Sequence, residues 1–108
     1  PSRRVGGRER ETDREDCMSI VAHGDPRALA KWAYKSLRSK QWGVLHVLVV
    51  GDGTAQLLNM RRVGAKKAER DCPERIAGYY LGCKHRVAPY VTASDLLEAI
   101  EATLGEVA

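Results

Sequence analysis

The side chains best placed to do chemistry in this chain are its lysines and arginines. There are 18 of them against 14 aspartates and glutamates, a formal net charge of +4. That balance alone is a weak signal, but its segregation along the chain is a stronger one. Arg27 to Lys40 carries five positive charges and no negative one, and Arg27, Lys31, Lys35 and Arg38 recur at helical spacing. Arg61 to Arg70 holds Arg61, Arg62, Lys66, Lys67 and Arg70 against Glu69 alone. Lys84-His85-Arg86 is a third basic cluster, whereas Asp95, Glu98, Glu101 and Glu106 close the chain without a single Lys or Arg. Arg62, Lys66 and Arg70 are spaced four apart and so share one helix face. Strips of this kind suit phosphate groups. A solvated outer helix face carries the same pattern, and the two readings have equal claims.

A second candidate is the loop Gly51-Asp52-Gly53-Thr54. A glycine turn between a strand and a helix can hold phosphate on free backbone N–H groups, here with Gly51, Gly53 and Thr54 as its members. The full GxGxxG and GK[ST] patterns are absent and Asp52 would repel an anion, so a tight turn is the more economical reading. Cys17, Cys72 and Cys83 are odd in number and contain no CxxC. A zinc site drawn from Cys72, Cys83 and His85 has no finger spacing, and reduced thiols explain the set better. His23 falls in a loop, and His46 falls in an apolar strand as a hydrogen-bonded core or interface residue. No Ser–His–Asp, HExxH or paired-carboxylate arrangement is readable. The reading is therefore non-enzymatic, with no catalytic residue, metal or cofactor assigned. Use of the Gly51–Thr54 loop on a nucleotide is the enzymatic alternative.

These residues need elements to hold them. Ser19 to Ala22 is a short strand candidate. Asp25-Pro26 starts a helix, with Asp as N-cap and Pro at N1. The helix runs to about Ser39, with Leu29, Ala30, Ala33 and Leu37 on the side opposite the cations. Val44 to Val50 is almost continuously apolar and β-branched, as in a strand covered on both faces. Residues 54–60 have two readings. Asp-Gly signals a hairpin and a returning strand, whereas Thr54-Ala-Gln-Leu-Leu-Asn-Met60 is rich in helix formers. The second is favoured, as a helix from about Ala55 to Arg70. Arg75 to Val87 reads as strand and Tyr90-Val91 as a short edge strand. Thr92 to Asp95 resembles a capping box opening a helix with Leu96, Leu97, Ile100 and Leu104, ended by Gly105. The order β-α-β-α-β-(β)-α predicts an α/β (α+β) layer fold on a small sheet.

Residues 1–17 hold little that can be buried, and ten of the first sixteen are charged, five of each sign. They are expected to form a disordered tail, with 18–108 as the single domain and Met18 as a possible natural start. No apolar run approaches the roughly 20 residues of a membrane span. The polar amino terminus carries no secretory h-region, and the expected compartment is the cytoplasm.

The segments Asp25 to Leu37 and Val47-Leu-Val-Val-Gly-Asp-Gly-Thr-Ala-Gln-Leu-Leu-Asn-Met60, leading to Ala65-Lys-Lys-Ala68, resemble the Alba-like group and its stage V sporulation protein S branch. The resemblance covers about the middle half of the chain. That group ends in a strand hairpin, whereas Thr92 to Leu104 here reads as helix. The resemblance implies a small homodimer that binds DNA or RNA, with two helices on one side of a four-stranded sheet. Lys84 and Arg86 match the group's basic contacts by position. The expected function is nucleic-acid binding on the phosphate backbone through the two basic helices and the Lys84–Arg86 segment. The two helices are expected on one side of the sheet, so that their cations merge into one surface. A non-enzymatic interaction module docking on an acidic partner protein is the alternative from a different class.

Overall fold

A computed structural model describes residues 21–83 and 91–107. Over those residues the chain is a four-stranded antiparallel sheet with three α-helices, a mixed α/β fold as its sequence predicts. The elements are β1 (Val21–His23), α1 (Pro26–Ser39), β2 (Val44–Gly51), β3 (Thr54–Asn59), α2 (Val63–Asp71), a 3₁₀ turn (Pro73–Arg75), β4 (Ile76–Gly82) and α3 (Ala93–Val107). The strands lie in the order β1-β3-β2-β4, each antiparallel to its neighbours. The whole of the expected tail, 1–17, and the Lys84–Arg86 segment fall outside the described residues, as does Tyr90. No helix among the described residues is long and apolar enough to cross a membrane.

α1 forms as its sequence dictates. Asp25 Oδ1 accepts from Ala28 N–H at 2.8 Å and Pro26 sits in the first turn. Leu29, Ala30, Ala33 and Leu37 are its buried residues. α3 begins at the expected capping box. Thr92 N–H and Oγ1 donate to Asp95 Oδ2 at 2.9 and 3.0 Å, and Asp95 N–H donates to Thr92 Oγ1 at 3.2 Å. The helix passes Gly105 and continues to Val107, so glycine does not end it. Gly105 has a negative φ, unlike Gly24, Gly43 and Gly53, and supplies no left-handed turn.

The expected helix over 55–70 is corrected. Asp52 and Gly53 form a two-residue turn, with Gly51 facing Thr54 and Gly53 at φ 75°, and the chain returns as β3. Ala55 and Leu57 point to one side of the sheet, while Gln56 and Leu58 point to the other. Both sides carry apolar residues because helices lie over both, so the polar–apolar alternation of a half-exposed strand is missing. Pairing with β1 on one edge and β2 on the other outweighs the helix propensity of these residues. Only Val63–Asp71 of the expected stretch is helical.

The inserted strand decides where the helices lie. β1 and β2 are parallel to one another and joined by α1 across β3. β3 and β4 are likewise parallel and joined by α2 across β2. Both connections step the same way across the sheet, but they start from strands of opposite direction. Two crossovers of one hand must then lie on opposite faces, and the right-handed preference is nearly universal. The packing agrees. Leu48, Val50, Ala55 and Leu57 form one core with Leu29 and Leu37 of α1 and Leu96 and Ile100 of α3. The alternate residues Val47, Leu58 and Tyr79 lie on the second face with α2. The expectation of α1 and α2 on one side is therefore corrected: the pair sharing a face is α1 and α3.

Candidate nucleic-acid interface

The second face is built by β2, β4 and α2. Asn59 ends β3 and starts the turn into the helix: its Oδ1 accepts from Arg61 N–H at 2.8 Å and its carbonyl from Arg62 N–H at 2.9 Å. Ala65 is the buried contact of α2. On one flank of the helix, a Cβ on Gly64 would stand 3.9 Å from Leu58 of β3. On the other flank Glu69 reaches β4, where Tyr79 Oη donates to its carboxylate at 2.8 Å. That bond, with Glu69 negative, holds the Tyr79 hydroxyl above the usual phenol range. Lys66 stands one turn before Glu69, and Arg62 one turn before Lys66. Lys66 therefore continues the flank that faces β4, and Arg62 precedes it as the extended N-cap residue of α2.

All five predicted cations of this segment, Arg61, Arg62, Lys66, Lys67 and Arg70, are exposed. Arg70 pairs with Asp71 at 3.2 Å, which is the sole ion pair among the described residues. Both partners are open to water, so the pair is weak.

Beside this flank no described element covers the sheet. Leu45 of β2 and Leu81 of β4 are cross-strand partners, and Tyr79 follows on the same face opposite Val47. Val47 is buried, whereas Leu45, Leu81 and Tyr79 are 42%, 37% and 48% exposed. Met60 N–H donates to Leu45 O at 3.0 Å, so the start of α2 stands at this end of the strip. Sequence reasoning read Leu45 into a strand covered on both faces and Tyr79 and Leu81 simply as strand residues. The signal that could have found them is parity: Leu45 and Val47, like Tyr79 and Leu81, occupy alternate positions on the face away from α1.

The other predicted cations lie elsewhere. Arg27, Lys31, Lys35 and Arg38 are exposed on α1, across the sheet from α2, with Arg38 over the Tyr34 ring at 5.6 Å. α3 packs beside them, and its Asp95, Glu98 and Glu101 are exposed too. A cleft of about 200 Å³ separates the two helices, lined by Arg27, Ala30, Lys31, Ala93, Ser94 and Leu97. The two basic strips do not meet. Lys84 and Arg86 lie outside the described residues.

The glycine loop does not open a helix, as the phosphate-cradle reading requires. Gly51, Gly53 and Thr54 belong to a hairpin, and no helix N-terminus follows them. The loop serves the fold instead. Gly24 N–H donates to Gly53 O at 3.0 Å, and a Cβ on Gly51 would stand 3.1 Å from the Arg75 guanidinium. Among the described residues no three of His, Cys, Asp and Glu gather as metal ligands.

His46 lies on the α1 side, 5% exposed, opposite Tyr80. Its Nδ1 donates to Val44 O at 3.0 Å. Burial, reinforced by nearby Lys40, holds its pKa below the ordinary imidazole value, against the opposing effect of the Val44 bond. No family model, curated protein or solved structure matches the chain.

Proposed function

We propose that the chain is a nucleic-acid-binding protein that holds the phosphate backbone on the sheet face carrying α2. The observation that supports this reading is the set of five exposed cations on and before α2, beside a stretch of sheet that no described element covers. Asp71 pairs with Arg70, and Glu69 accepts from the Tyr79 hydroxyl while keeping its charge, so the five cations still outnumber the acids of this segment. The resemblance of Val47 to Met60 and Ala65 to Ala68 to the Alba-like group implies the same class of ligand, although α1 and α2 do not share a face here as that group's two helices do. The α1 strip is the weaker surface, because the carboxylates of α3 stand next to it. One duplex cannot touch both strips.

Lysine and arginine contacts of this kind position a backbone and read little sequence. Affinity for labelled DNA or RNA, followed by fluorescence anisotropy, should fall as salt rises, with a log–log slope of about −0.7 to −0.9 per phosphate contact. Binding that does not change with salt, or no binding to either at micromolar protein in low salt, removes this reading. A pull-down partner that survives nuclease treatment would instead favour the acidic-protein reading.

A further inference from the structure

We infer that the strip formed by Leu45, Tyr79 and Leu81, bordered by Arg62 and Lys66, binds single-stranded nucleic acid with its bases laid on the sheet. This rests on the nucleic-acid reading above and names the form of the ligand.

The argument begins with what a duplex offers. Its outer surface is phosphate and sugar, and its bases are stacked inside. Leu45, Tyr79 and Leu81 would gain nothing from such a surface. A single strand presents both kinds of chemistry at once, a line of anionic phosphates and a line of flat apolar bases. Proteins that bind single strands match this with a cationic groove beside aromatic side chains. Here the two features run side by side. Leu45 and Leu81 are paired across β2 and β4, and Tyr79 lies two residues from Leu81 on the same face. Lys66 continues the α2 flank on which Glu69 meets Tyr79, and the exposed Arg62 caps that helix at the end of the strip marked by Leu45. The Glu69 bond fixes the outer end of the Tyr79 side chain while leaving it about half exposed.

Charge also selects the occupant. A second copy seated symmetrically on this strip would bring two sets of α2 cations together, and these outnumber the acids Glu69 and Asp71. Like charges in that position oppose association. An anionic ligand with flat apolar parts meets one opposing charge, the Glu69 carboxylate, against the cations on and before α2.

The test uses the full chain and a labelled homopyrimidine single strand of roughly ten nucleotides, compared with a duplex of equal length. Three proteins are compared: the parent, Tyr79→Ala and Tyr79→Phe, each shown to be folded by circular dichroism and thermal melting. The parent should prefer the single strand. Tyr79→Ala should lose about tenfold or more in single-strand affinity, as expected when one stacking side chain is removed. Tyr79→Phe should stay close to the parent, and duplex binding should be the same in all three.

If the duplex binds as well as the single strand and Tyr79→Ala changes nothing, this inference is overturned and phosphate binding by α2 stands. If neither form binds, the nucleic-acid reading itself falls. If polyglutamate displaces the labelled strand as well as unlabelled oligonucleotide does, the bases contribute nothing. The strip then belongs to an acidic peptide or to no partner.

Discussion

His46 shows how much one buried side chain can set. It is neutral in the core because water is excluded around it, and Lys40 adds to the cost of charging it. In the unfolded chain it takes a proton near pH 6.5. Its folded pKa is lower, so the unfolded state binds more protons as the pH drops below that value. Stability should therefore be fully present above about pH 6.5 and decline as the pH falls toward the folded pKa. Urea denaturation at a series of pH values checks this, with His46→Gln expected to flatten the decline. Tyr79 is the residue whose role was least legible. Tyr79-Tyr80 reads as strand, but two adjacent tyrosines look alike in sequence, and the pleat sends them apart. Tyr80 packs against the core, while Tyr79 meets Glu69 on the opposite face.

At the scale of elements, those with strong local signals were legible. Asp25-Pro26 and the Thr92–Asp95 box start helices in the sequence and in the structure, because a capping side chain satisfies N–H groups that lack helix partners. Asp25→Ala should cost about 1 kcal/mol of stability, measured by urea unfolding. β3 was legible only as the less favoured of two readings. Asp52-Gly53 signalled the hairpin with β2, but the helix-forming composition of 54–60 pointed the other way, and no local pattern records the pairing with β1. Gly53 carries the decisive local fact, a φ of 75°. Gly53→Val should destabilise the hairpin, since a β-branched residue at positive φ is strained. A drop in thermal midpoint larger than that of Gly105→Ala, whose Cβ would meet open space, is the expected result.

At the scale of the molecule, misreading one strand moved a whole surface. With β3 taken as helix, the cations of α1 and α2 seemed able to merge. With β3 in place, the two crossovers fall on opposite faces, and the charge divides into a strip beside the acidic α3 and a strip beside open sheet. The cations themselves were legible in the sequence; their grouping was not, because it depends on topology. In the reading proposed above, nucleic acid lies on the α2 face and not on the α1 face. Charge reversal on each face tests it most directly, by salt-dependent anisotropy titration of the same oligonucleotide with folded Lys66→Glu and folded Lys35→Glu. Lys66→Glu should weaken binding by about tenfold and lower the salt slope by about one unit, with Lys35→Glu within about twofold of the parent. Equal losses in both variants, or a loss in Lys35→Glu alone, would contradict the account.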